Sequence, residues 1–198
     1  MHSNSKTKIA LVILLSASML ATGCSAQWIS VALADLPVLT QMALNIAALV
    51  ATLQSGAQLS STEAAAIQNI SAEASKDLTL LQTFYNDYKA NPSAGTMQKI
   101  ENVIADINQN LPALLQAAHI GDPTLAARVT AGVNLILTTV SSFASLIPQT
   151  TAPSTARKAQ PSAVIPKAKD LKKQWNQQVC GPTGNAGLDA ALTTCALR

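Results

Sequence analysis

The feature that most constrains this chain is a three-four spacing of apolar residues, sustained over four long stretches that turn formers separate. Residues at i, i+3, i+4 and i+7 fall on one helix face, and no window alternates with period two, so helices are expected and strands are not. The first stretch runs from about residue 27 to residue 54 and ends before Ser55-Gly56. Its apolar residues lie nearly all round, from Ile29 through Leu36, Met42 and Ile46 to Leu53, as in a helix buried in a core or in lipid. In lipid, Asp35, Pro37, Gln41 and Asn45 would sit in hydrocarbon at high cost, so a central bundle helix is the expectation.

The second helix opens at a capping box, Ser60 with Glu63, and Asn91-Pro92 stops it. Ile67, Ile70, Ala74, Leu78, Leu81, Tyr85 and Tyr88 form its stripe. A third helix starts near Thr96, follows Ile100, Ile104, Ile107, Leu111 and Leu114, and ends at Gly121. The fourth takes Asp122 as N-cap and Pro123 at its first position, where a missing N–H costs nothing. Leu125, Val129, Ile136, Val140 and Phe143 follow, and Pro148 terminates it. Short connections make neighbouring helices antiparallel. The expected fold is therefore all-α: an elongated up-down-up-down four-helix bundle over residues 24–147. The segments Asp35-Leu36-Pro37-Val38-Leu39 and Asn110-Leu111-Pro112-Ala113-Leu114 resemble one another. Either an ancient duplication or the Leu/Ala-rich composition accounts for them, and each proline is expected to kink or break its helix.

After residue 147 the character changes. Pro148, Pro153, Pro161 and Pro166 make residues 148–166 a semi-extended linker. Residues 167–198 form a basic tail, in which Lys167, Lys169, Lys172 and Lys173 decorate a short helical stretch that also holds Leu171 and Trp175. Residues 24–147 carry four cations against eight carboxylates, a net −4, whereas residues 148–198 carry seven against two, a net +5. Two destinations suit such a tail: the acidic bundle beside it, from which salt should release it, or an anionic surface such as lipid headgroups or acidic envelope polymer, with Trp175 as an interfacial residue.

The composition, 48% hydrophobic and 12% charged, excludes a disordered polyelectrolyte. A net charge of +3 without a dense basic face also argues against nucleic acid as a partner. Catalytic patterns are scarce. His119 stands alone in the third helix's last turn, where the helix dipole favours a cation, so no metal site is expected. Glu73 and Asp77 share a helix face and read as solvated. Gly181, Gly184 and Gly187 lack the Lys-Ser/Thr of a phosphate loop and read as turns. Phe84, Tyr85 and Tyr88 suit packing at a bundle end, or an exposed contact site. No catalytic residue and no cofactor are assigned, and an enzyme is not expected.

The first residues read as a targeting segment: Lys6 and Lys8, an apolar run from Ile9 to Leu20 too short to span a bilayer comfortably, then small residues. Ala21-Thr22-Gly23-Cys24 resembles the lipobox of bacterial lipoproteins, with Ala21 in the place of the usual Leu. The resemblance covers residues 1–24 alone and implies a signal peptide over residues 1–23, with Cys24 carrying lipid as the mature N-terminus. Ser25 follows where an Asp would favour inner-membrane retention, which implies the outer membrane. With Cys24 lipidated, Cys180 and Cys195 remain to pair in an oxidising compartment. The functional expectation is a lipid-anchored envelope protein acting as a structural or interaction module, its partners the membrane and an envelope polymer or protein. The alternative is a membrane-active bundle whose first helix inserts into lipid.

Overall fold

A computed structural model describes residues 29–53, 59–147 and 166–198. The signal segment with Cys24, the Ser55-Gly56 loop and nearly all of the Pro-rich linker lie outside the described residues. The described residues form six helices and no strand. They are α1 (Ile29–Leu53), α2 (Ser61–Ala90), α3 (Ala94–Ala117), α4 (Pro123–Leu146), α5 (Ala168–Gln178) and α6 (Ala186–Thr194).

The helix starts follow from side-chain chemistry. Ser60 Oγ accepts from the Glu63 N–H at 3.3 Å while Glu63 reaches back to the Ser60 N–H at 3.1 Å, completing the capping box of α2. Glu63 also bridges two parts of the chain, since its Oε1 accepts from the Gly121 N–H at 2.7 Å and ties the start of α2 to the α3–α4 turn. Asp122 caps α4 through the Leu125 N–H at 2.7 Å, with Pro123 at the first position. The third helix begins at Ala94 rather than near Thr96, because Ser93 caps it by accepting from the Thr96 N–H at 3.1 Å. It ends at Ala117 rather than Gly121, and His119, not a glycine, takes the left-handed turn with φ 45°. Neither Pro37 nor Pro112 breaks its helix; α1 and α3 continue through them.

One hydrophobic core joins all six helices. Helix α2 packs on α3, α3 on α4, and α4 on α5. The first helix buries Ile29, Leu36, Leu39, Met42, Ile46, Leu49 and Leu53, and exposes Ser30, Ala34, Pro37, Gln41, Leu44 and Ala48. Buried Ser71 of α2 donates to the Ala43 carbonyl of α1 at 2.6 Å. At the α2–α4 contact, Tyr85 meets Phe143 edge-on with ring centroids 6.4 Å apart. Phe84 and Tyr88 are half-buried beside this core, and the Lys99 ammonium lies 5.5 Å over the Phe84 ring. By length and composition alone α1 and α4 could cross a membrane; here 56% and 44% of their apolar windows are buried against protein.

The docked C-terminal unit and its basic face

Residues 166–198 close into a small unit of two helices and a disulfide. Asn185 caps α6 through the Gly187 and Leu188 N–H groups. Asp189 gathers the loop before it, accepting from the Thr183 N–H and hydroxyl at 2.6 Å and the Gly184 N–H at 3.2 Å. Those bonds, led by the Thr183 hydroxyl, hold its carboxyl below the usual carboxylate range. Gly184 has φ +85°, and a Cβ at Gly181 would stand 2.6 Å from the Gln177 carbonyl, so both positions need glycine. Cys180 and Cys195 form the disulfide, joining the end of α5 to the end of α6.

The unit docks on α1 and α4 through apolar contacts and hydrogen bonds, with no ion pair across the seam among the described residues. Leu171, Trp175, Val179, Leu188, Leu192 and Cys195 all belong to the common core. The Cys195 carbonyl is the junction: Trp175 Nε1 donates to it at 2.8 Å, and so does Asn45 Nδ2 from the middle of α1, also at 2.8 Å. Gln41 orients Asn45 by donating to its Oδ1 at 2.8 Å. Asn176 exchanges two bonds with the Leu197 backbone, each 2.8 Å. From α4, Arg128 donates to the carbonyls of Gln178 at 2.7 Å and Pro182 at 3.3 Å. A Cβ built on Gly132 would lie 3.0 Å from Trp175 Cζ3, so the absent side chain lets the indole seat against α4.

This geometry corrects two expectations. Trp175 is 0% exposed and fills the dock, so it is no interfacial residue. The spacing of Leu171, Trp175 and Val179 at i, i+4 and i+8 puts them on one inward stripe, a signal that the neighbouring lysines obscure. The tail does lie on the bundle, but not through opposite charge. Among the described residues the one ion pair is Lys76–Glu73 at 2.9 Å, within α2. With the indole inward, Lys167, Lys169 and Lys173 are exposed, and half-buried Lys172 donates to the Arg198 carbonyl. Lys172 and Arg198 also line a groove of about 520 Å³ against Pro37, Val38, Gln41 and Asn45 of α1.

Two carboxylates are buried, Asp77 against expectation. Asp77 is buried rather than solvated, and its Oδ2 has no hydrogen-bond partner. Burial first, and Glu73 second, raise its carboxyl above the ordinary range. Asp35 of α1 is 1% exposed; it accepts from the Ala168 N–H at the start of α5, and its Oδ2 has no partner. Burial pushes its pKa up to about 6 against the opposing Ala168 bond. His119 is exposed with Nδ1 2.8 Å from the Ala117 carbonyl, and no group of three His, Cys, Asp or Glu suited to a metal occurs among the described residues. No family model matches the chain, and it matches neither a curated protein nor a solved structure.

Proposed function

We propose that this chain is a lipid-anchored, non-catalytic module of the cell envelope, which holds a basic face against an anionic surface of acidic envelope polymer or lipid headgroups. The observation that carries this reading is the orientation of α5. Its apolar side is spent on the core, leaving Lys167, Lys169 and Lys173 exposed, with no carboxylate partner among the described residues. Unpaired cations on a rigid helix attract anionic surfaces by about 1 kcal/mol each near a membrane. Attachment through Cys24 rests on the Ala21-Thr22-Gly23-Cys24 resemblance, and the Cys180–Cys195 disulfide suits an oxidising compartment. The four long helices are read as up-down-up-down. The α2–α3 and α3–α4 packing, the short turns at residues 91–93 and 118–122 and the Ser71–Ala43 bond support that topology. Insertion of α1 into lipid is the weaker reading, since α1 commits Leu36, Leu39, Met42 and Ile46 to the protein core.

Flotation of the Cys24→Ala protein with vesicles tests the proposal. It should stay soluble with neutral vesicles and bind anionic ones in a salt-sensitive way. Reversing Lys167, Lys169 and Lys173 to Glu should weaken that binding on the order of 100-fold. Equal binding by the reversed variant overturns the basic-face reading, and carbonate-resistant association with neutral vesicles would favour insertion instead.

A further inference from the structure

The contact between α1 and α5 has a chemical asymmetry that the basic face does not use. Helix α5 begins at Ala168 with Lys167 as its N-cap, and Lys167 makes no side-chain capping bond. Its open N-terminus is served from another element: the carboxyl of Asp35, two helical turns into α1, takes the Ala168 N–H. Asp35 is the only charged residue between Ile29 and Leu53, and it is sealed from solvent at 1% exposure. A bare carboxylate therefore sits beside the start of α5 with its buried Oδ2 unpartnered, an arrangement costly in its charged form.

Among the described residues no neighbouring cation offsets that cost. On α5, Lys167, Lys169, Asp170 and Lys173 are exposed, and Lys172 is engaged with Arg198. The one charged side chain of α4 is Arg128, held by Gln178 and Pro182 at the far end of α5. On α2, Glu63 is bound to Ser60 and Gly121, Glu73 and Lys76 pair with each other, Asp77 feels Glu73, Lys76 and Asp106, and Asp87 and Lys89 are exposed. The unit's own Asp189 is tied to Thr183 and Gly184. What acts on Asp35 is burial, opposed by the Ala168 N–H.

We propose that Asp35 is a protonation latch for the C-terminal unit: a proton on Oδ2 tightens α5 on α1, and its loss loosens the unit. The neutral carboxyl still offers Ala168 an acceptor oxygen and removes the uncompensated charge. Undocking of α5 returns the group toward its ordinary value of 3.8 from about 6 in the docked state, so the docked form binds the proton more strongly. Docking is therefore strongest in acid and weakens as pH rises from about 4 through about 6, after which the loss is complete. This inference concerns docking alone and stands whether or not the lysines meet an anionic surface.

Hydrogen exchange of residues 168–178 in the oxidised full chain, corrected for the intrinsic rate, measures the opening of α5 directly. The opening constant should rise about tenfold between about pH 5 and about pH 8. In Asp35→Asn, which retains an acceptor oxygen, it should not vary with pH. A His119→Gln variant, measured alongside, should keep the wild-type slope. A flat or inverted wild-type profile, or an Asp35→Asn protein that keeps the slope, overturns the latch. Should Asp35→Asn fail to fold, the carboxyl-carbon NMR titration of wild-type Asp35 decides: a midpoint near 6 supports the latch, and one near 4 overturns it.

Discussion

The α2–α3 pair and the contact of α1 with the C-terminal unit are built from different materials. Helices α2 and α3 are joined by a short turn, start at serine caps, and carry the chain's one described ion pair, Lys76–Glu73. Their contacts are near in sequence, so little chain must be ordered to close them. The other region joins residues far apart, as in the Asn45–Cys195 bond, which spans 150 positions. It uses a buried indole, amide side chains, the Arg128 guanidinium and a disulfide, and no ion pair among the described residues. A basic segment and an acidic bundle thus meet with their charged groups bonded to backbone rather than to each other. Neutral buried bonds are insensitive to salt, whereas exposed ion pairs are screened by it.

If the C-terminal unit shares one cooperative core with the bundle, Trp175→Ala should lower the stability of the whole protein. Loss of a fully buried Trp costs about 3–5 kcal/mol, and the Cys195 carbonyl also loses a donor. Denaturant unfolding should show one transition at a lower midpoint; a bundle transition left in place would make the unit a separate appendage. Reduction of Cys180–Cys195 comes next, at about 3 kcal/mol for a loop of this size. The loss should read as reduced thermal stability, with exchange rising first in α5 and α6. An unchanged melting temperature would show that the core alone holds the unit.

A pair of alanine substitutions sharpens the contrast most finely. Gly132→Ala presses a Cβ within 3.0 Å of Trp175 and should destabilise by about 1–3 kcal/mol. Gly95→Ala, in the first turn of α3 with nothing within 4 Å, should stabilise by about 0.5 kcal/mol through helix propensity. Equal effects at both positions would mean that the indole is not seated against α4.

How much of this is readable without the structure depends on how far each signal reaches. Capping is local, so Ser60 with Glu63 and Asp122 with Pro123 announce two helix starts. Ser93 is harder to pick out because Thr96, its N3 partner, is an equally good start signal. The Cys180–Cys195 pairing follows from arithmetic once Cys24 is assigned to lipid. Asp77 reads as solvated because Glu73 and Lys76 accompany it, yet α2 turns it inward. Asp35 capping α5 and Asn45 donating to the Cys195 carbonyl have no local trace, since each depends on which helix lands against α1. Trp175 does have one, the Leu171-Trp175-Val179 stripe, and four lysines draw attention to the opposite face.

Apolar contacts and hydrogen bonds, not ion pairs, dock the unit, while Lys167, Lys169 and Lys173 stay outside. Hydrogen exchange of α5 across ionic strength tests this most directly. Residues 168–178 should stay as protected at about 1 M salt, where the screening length is about 3 Å, as in dilute buffer. Loss of that protection on adding salt would mean instead that charge holds the unit in place.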